Sequence, residues 1–438
     1  MRLFKKKHKD ICKTDRNYLA CGFVLNMIAG MLNAAQSVVF IIFATRMNFF
    51  ETAGNLTIAF AISNLLLTLG KFGMRNFQVT DASGQFSFQH YLDARKITTS
   101  IMLLCGFLLC IVQRYALVAE TSKVYIIFCV LLMYLFESYE DVYEAELQKK
   151  GRLDIASIIY IIRWMLTFLG YGIAFIAFRK IQLALLVACF INGTSCLYMI
   201  FICKRWGLVT LEKRSGYNSW LVICKNISLC LSSFLIMFIA NSPKYVVDLK
   251  FSPYEQTCFG IVTLPIFVIE LMSNFFFQPY LHTMAQHARK KNYKPIYVWM
   301  IKQCIGILVI TFGIMIGAYW LGIPILSLLY TVDLTPYHMD LLLVLIGSGL
   351  LAYATYFGVV LTIVRKQKYM LYFYFAASVI GTWIMYNVSD SYYIHGVIIS
   401  YDITLALLDV VLLICLILNL KKCQKLSKLN NKNRVYED

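Results

Sequence analysis

Several charged side chains fall inside stretches otherwise apolar enough to cross a bilayer, where ionisable groups are costly and mark a pair or a pathway. The densest group lies at the end of one such stretch, Phe136-Glu137-Ser138-Tyr139-Glu140-Asp141-Val142-Tyr143-Glu144. Glu137, Glu140, Asp141 and Glu144 recur at helical spacing, so a helix puts all four carboxylates on one face. The next apolar stretch carries Arg163. Glu137 and Arg163 both fall about nine residues, or roughly 13–14 Å at 1.5 Å per residue, from the same end of two antiparallel helices. Two readings follow: an ion pair that fixes helix packing, or an anion-binding Arg163 on a cavity wall.

Further along, Glu270 falls near the middle of its stretch, Asp402 and Asp409 stand seven apart on one helix face, and Lys225 lies toward one end of its own. A carboxylate held at mid-depth can exchange a proton or bind sodium. Glu270 and Asp409, with Asp402 behind them, are therefore the candidate ion-coupling groups, against a bland alternative of salt bridges to neighbouring helices. The first stretch is rich in amides, Asn26, Asn33 and Gln36, separated by Gly22, Gly30 and alanines. Such amides either hydrogen-bond across helix interfaces or reach toward a polar substrate.

The elements that must position these groups follow from composition. The chain has 438 residues, 60% apolar or aromatic and 15% charged, with a mean hydropathy of +0.67. A soluble domain has fewer apolar residues and more charge, so a water-soluble enzyme is excluded. Twelve windows of about 20 apolar residues or more run from 17–44 to 394–420, among them 122–145, 154–178, 254–281 and 369–388. Without period-2 alternation these read as helices and not as barrel strands. The expected fold class is an all-α polytopic membrane protein of about 12 transmembrane helices.

Of the 41 lysines and arginines, 31 precede the first span, follow an even-numbered one or close the chain, and 7 follow odd-numbered spans. This places both termini on the cytoplasmic side. The net charge of +18 is thus mainly a topology device, and no nucleic-acid partner is expected. The expected organisation is a basic cytoplasmic segment over 1–16, an N-terminal lobe of spans 1–6 over 17–203, and a basic linker over 204–218. A C-terminal lobe of spans 7–12 over 219–420 and a basic cytoplasmic tail over 421–438 complete it. Two six-helix halves of like orientation are one plan of alternating-access transporters. All seven prolines lie after residue 242, and Pro265 predicts a kink in span 8.

No phosphate-binding Gly-x-x-x-x-Gly-Lys-Ser/Thr loop, no His-Glu-x-x-His and no Gly-x-Ser-x-Gly is present. The fourteen cysteines occur without a Cys-x-x-Cys pair, and His395 stands alone, so neither a metal, a cofactor nor an enzymatic activity is expected.

The run Gly54-Asn55-Leu56-Thr57-Ile58-Ala59-Phe60-Ala61-Ile62, then Phe72-Gly73-Met74-Arg75-Asn76-Phe77-Gln78-Val79-Thr80-Asp81, with Tyr91 and Arg95, carries a resemblance. It resembles the polysaccharide-transporter branch of the multidrug/oligosaccharidyl-lipid/polysaccharide exporter superfamily, in particular bacterial lipopolysaccharide or capsule repeat-unit flippases. The amides of span 1, Glu51 and Gly322-Ile323-Pro324-Ile325-Leu326 also fit. The resemblance implies two six-helix lobes around a central cavity in a bacterial plasma membrane. The implied substrate is an undecaprenyl-pyrophosphate-linked oligosaccharide moved to the outer leaflet, with an ion gradient as the implied drive. Membrane lipids, a proton or sodium ion, and polysaccharide polymerases and glycosyltransferases are the implied partners. Carried onto this chain, Arg75 meets phosphate at the cytoplasmic face, and Arg163 and Lys225 continue a basic route. The chain departs from lipid-diphosphate flippases with an arginine inside span 1, since only amides stand there, and it lacks the proline-kinked first helix of many drug exporters.

Overall fold

A computed structural model describes residues 16–81, 85–209, 216–289, 293–364 and 366–435. The basic run over residues 1–15 and residues 210–215 of the expected linker lie outside the described residues. Every regular element among the described residues is helical.

The first crossing is α1 (Arg16–Ala34) and α2 (Gln36–Arg46), interrupted at Ala35. Then come α3 (Phe50–Lys71), the short α4 (Met74–Thr80), α5 (Phe88–Ile111, prolonged by one π-helical turn), α6 (Thr121–Lys149), α7 (Leu153–Phe178) and α8 (Ile181–Arg205). The rest of the chain forms α9 (Gly216–Lys250), α10 (Pro253–Val262), α11 (Ile266–Arg289), α12 (Lys294–Tyr330), α13 (His338–Ile363) and α14 (Gln367–Val435).

Eleven helical segments among the described residues are long and apolar enough to cross a membrane. The last of them runs for 56 residues, from Gln367 to Lys422, which at 1.5 Å per residue is far longer than one crossing. It is two helices that meet at Tyr393, whose φ of 52° and ψ of −147° are not helical. The break falls between the expected spans 369–388 and 394–420, so the described chain holds twelve spans. The fold class is all-α and polytopic. Pro265 interrupts span 8: α10 ends at Val262, a turn follows, and α11 begins at Ile266. Pro243 and Pro324 by contrast sit inside continuous helices.

The chain divides into two compact units, one of residues 1–43 and 59–230, the other of residues 44–58 and 231–438. The division thus falls inside α9 and not in the connection over 204–218. The reason is packing. Val222, Ile223 and Cys230 at the start of α9 are buried with Phe72, Tyr91, Tyr143 and Met199 of the first unit. Ile239, Val246 and Val247, about two and a half to five turns after Cys230, are buried in the core of the second. The end of α2 and the start of α3 also belong with the second unit, where Arg46 donates from Nε to the Leu329 carbonyl at 2.9 Å. Gly54 fits there because it lies against α10; a Cβ on it would stand 2.6 Å from the Pro253 carbonyl oxygen.

In the first unit, α6 is the central strut. It packs on α5, α8 and α4, while α7 packs on α1 and α8. In the second unit, α13 plays that part, packed on α11, α12 and α14.

Candidate functional site

The four-carboxylate stripe of α6 is buried along its whole length, and four cations from four other elements face it. α3 ends at Lys71, and Phe72 and Gly73 turn the chain with φ of 52° and 65°. Only Gly73 takes that conformation without Cβ strain. The turn sets Lys71 and Arg75 side by side against α6 although they belong to different helices. Lys71 Nζ donates to Glu137 Oε1 at 2.7 Å. Arg75 Nη1 donates to Glu144 Oε2 at 2.7 Å and to Asp141 Oδ1 at 3.2 Å, while its Nε donates to Gln148 at 3.1 Å.

Behind this pair, Arg95 of α5 is fully buried. Its Nη2 donates to Asp141 Oδ2 at 2.6 Å and its Nη1 to the Gly70 carbonyl at 2.6 Å. That carbonyl, in the last turn of α3, has no helical amide to receive, and the Thr98 hydroxyl also donates to it at 2.9 Å. Gly70 is required here: a Cβ would lie 2.5 Å from Ser138 Oγ of α6 and Met102 Sδ of α5. Arg163 of α7 completes the set. Its Nη1 donates to Glu140 in a tight contact, its Nη2 stands 3.6 Å from Glu137 Oε2, and its guanidinium lies 4.2 Å from the Tyr160 ring centroid. Such cation–ring stacking partly replaces lost hydration.

Formal charges cancel, four against four, which is how buried ionisable groups are tolerated. The cations are not equivalent, however. Arg95 and Arg163 are sealed, whereas the side chains of Arg75 and Lys71 remain 31% and 34% exposed. They open onto a cavity of about 180 Å³ lined by Asn26, Ala29, Gly30, Asn33, Lys71, Arg75, Glu144, Leu153, Ala156, Ser157 and Tyr160. Asn33 is held in place there, its Oδ1 accepting close hydrogen bonds from both the Gln36 amide and the Tyr160 hydroxyl.

The expected site residues therefore divide. Asn26, Asn33 and Arg75 line the cavity, and Gln36 supports it from behind. Arg75 lies on the short helix α4 and not in an open loop. Arg163 is sealed beneath Tyr160 and does not line the cavity; its expected ion pair with Glu137 is present at 3.6 Å, with Glu140 as a second and closer partner, while the other oxygen of Glu137 is held by Lys71. The cause is the i, i+3 spacing: one turn of α6 offers two carboxylates near the depth of Arg163, and Lys71 shares the first. Lys225 is exposed, donates to Gln85 Oε1 at 3.2 Å, stands 4.9 Å from the Phe86 centroid and does not line the cavity. Lys71 escaped the sequence reading because it looks like an ordinary cation at a span's end; its spacing of four from Arg75 across Phe72-Gly73 was the available signal. Arg95 stood only as one residue of a motif.

Glu270, Asp402 and Asp409 all belong to the second unit. Glu270 is exposed. Asp409 is 8% exposed, and neither of its carboxylate oxygens has a hydrogen-bond partner; Asp402 Oδ1 has none either. No group of three or more His, Cys, Asp or Glu side chains placed to hold a metal ion occurs among the described residues. His395 is paired, its Nδ1 in close contact with Asp340 Oδ1.

No known family profile matches the sequence, and no curated protein matches it. Solved structures do match it in fold. One is an inward-facing multidrug resistance MATE family transporter of the MOP superfamily, with a TM-score of 0.70 and 12% identity over 93% of this chain and 99% of that one. The MATE multidrug transporter DinF-BH gives 0.68 and 16% over 93% and 96%. The Vibrio cholerae MATE transporter VcmN in its bent form gives 0.62 and 11% over 93% and 98%. At these identities the likeness speaks for architecture: the chain has the MATE transporter fold.

Proposed function

We propose that the chain is an alternating-access transporter that moves undecaprenyl-pyrophosphate-linked oligosaccharide repeat units from the cytoplasmic to the outer leaflet of a bacterial plasma membrane. The observation that carries this reading is the cavity of the first unit. Seven of its eleven lining residues bear hydrogen-bonding side chains, and two of these are partly exposed cations. A diphosphate with sugars attached cannot enter hydrocarbon without replacing its hydration, and such a wall supplies the replacement. Lys71 and Arg75 are the groups that meet phosphate; Asn26 and Asn33 present amides to the glycan. Arg163 and Arg95 hold the carboxylates that hold Arg75 and Lys71.

The cavity lies where α3 and α6 end and α7 begins, the end that the distribution of lysines and arginines assigns to the cytoplasm. Asp409 and Asp402 of the second unit are where a proton or sodium ion would bind to drive the cycle.

Drug export is the second reading, favoured by the fold shared with multidrug transporters. A hydrophobic cation would call for an apolar wall with one dominant carboxylate, and the described cavity is the reverse.

The test is a deletion in the host, followed by extraction of lipid-linked glycans and assignment of their leaflet. Complete single repeat units on the cytoplasmic side, with surface polysaccharide lost, are expected. Single units accumulating on the outer side would mean a polymerase. An unchanged glycan profile with heightened sensitivity to cationic drugs would mean an exporter.

A further inference from the structure

One face of α1 is turned to the cavity. Asn26, Gly30 and Asn33 all line it and recur at i, i+4 and i+7, which places them on a single side of the helix. Gly30 shows which way that side looks: it is exposed, and a Cβ built on it would meet nothing within 4 Å. A glycine inside a helix costs stability relative to alanine, and no packed neighbour requires this one. What it leaves is open space between two amides.

Asn33 can act on that space in one way only. Its Oδ1 already accepts from the Gln36 amide and the Tyr160 hydroxyl, which fixes the orientation of the side chain and uses both lone pairs. Its Nδ2 has no partner and, unlike Glu144 Oε1 and Ser157 Oγ, is not sealed off. A neutral donor thus stands on the same wall as the cations Lys71 and Arg75. The cations match phosphate oxygens. Asn33 adds a place for an uncharged acceptor, and the kind that brings no hydrogen of its own to satisfy is a carbonyl oxygen.

We propose that Asn33 is a specificity-determining residue that donates from Nδ2 to the acetamido carbonyl of an amino sugar whose phosphate is held by Lys71 and Arg75, with Gly30 leaving room for the acetamido group. The proposal rests on the lipid-linked oligosaccharide reading and names the sugar chemistry within it, an N-acetylated glycosyl phosphate in preference to its hydroxyl analogue. A hydroxyl in the same place brings a hydrogen that Asn33, with both lone pairs used, cannot accept.

The experiment compares two soluble probes that differ at a single substituent, glucose 1-phosphate and N-acetylglucosamine 1-phosphate, binding to the full chain in neutral detergent by calorimetry. Wild-type protein is expected to bind the N-acetylated probe about three- to tenfold tighter, the worth of one neutral hydrogen bond. In Asn33→Asp the carboxylate still accepts from Gln36 and Tyr160 but has no amide to donate, so the ratio falls to one or below. The added charge and any structural damage weaken both probes alike and leave the ratio standing. Gly30→Leu keeps the Asn33 contacts and fills the open space; it should bring the ratio near one with the midpoint of thermal unfolding unchanged or raised. A wild-type ratio near one, with both probes bound, overturns the proposal and leaves the headgroup reading in place. A ratio preserved in both variants also overturns it. Binding of neither probe removes both.

Discussion

The α6 stripe of the first unit and Asp409 of the second bury charge in opposite ways. In the first, every carboxylate of the α6 stripe faces at least one cation, and the open ends of that network, at Lys71, Arg75 and Glu144, coincide with a cavity. In the second, the core around α13 and α14 is apolar, and Asp409 is buried in it without a partner for either oxygen. A paired network is rigid: removing one member strands another, so it suits a site whose geometry must persist. A lone buried carboxylate binds nothing in the protein and so bears the full desolvation cost unless a proton or cation joins it. On the proposed function, the first arrangement is a scaffold with a ligand face and the second a group whose ionic state changes.

This contrast predicts where single substitutions hurt. Arg163→Ala has the largest expected effect. It strands Glu140 and one side of Glu137 in a sealed site, a loss of about 3–5 kcal/mol. Purified variant should show a sharply lowered midpoint of thermal unfolding, or fail to yield monodisperse protein. Arg163→Met combined with Glu140→Gln should recover most of the loss, since the stranded charge is gone. Arg95→Ala follows, because Asp141 keeps Arg75 while the Gly70 carbonyl keeps only Thr98; about 2–3 kcal/mol is expected from the lost charged hydrogen bonds. Arg95→Lys should restore part of this, as one ammonium cannot span both acceptors as the fork does. Equal stability of Arg163→Ala and wild type would break the distinction at its paired end.

Much of this was legible beforehand, for physical reasons that separate one residue from the next. Hydrophobic length alone located all twelve spans, including the pair that meets at Tyr393, because lipid leaves the backbone few alternatives to the helix. Pro265 announced the break between α10 and α11 by its missing amide donor. The α6 stripe was visible as spacing on one helix. Of its partners Arg163 was, from its equal depth with Glu137, but the others were not, since their pairing depends on the rotation of α3, α4 and α5 about their own axes, which periodicity does not fix. Arg163 was also open to an anion-binding reading that its burial under Tyr160 disfavours, and Lys71 was passed over. The boundary inside α9 was hidden for a related reason: a polar connection at 204–218 is the obvious divider, and only side-chain packing shows α9 shared between two cores.

The unpaired end of the contrast yields the smaller effects on stability and the larger ones on transport. Asp409→Asn breaks no ion pair and removes a desolvated charge, so stability should stay within about 1 kcal/mol of wild type or rise slightly. If Asp409 carries the coupling ion, the same variant should lose the dependence of lipid-linked glycan translocation on an imposed ion gradient in proteoliposomes. Asp402→Asn should act in the same sense but more weakly, since its residue is only half-buried. Destabilisation of Asp409→Asn as large as that of Arg163→Ala would mean Asp409 has a structural partner after all, and the α6 stripe and Asp409 would no longer differ in kind.

The smallest effect belongs to Lys225→Ala. Its ammonium is exposed, and its contacts with Gln85 and the Phe86 ring are the sort that contribute under about 0.5 kcal/mol. Thermal stability and translocation should both stay near wild type, whereas Arg75→Ala, one cation on the cavity wall, should lower translocation while leaving Asp141 paired with Arg95. The two substitutions remove the same charge from the same unit. A difference between them therefore measures position and not net charge, and it is position that the cavity argument needs.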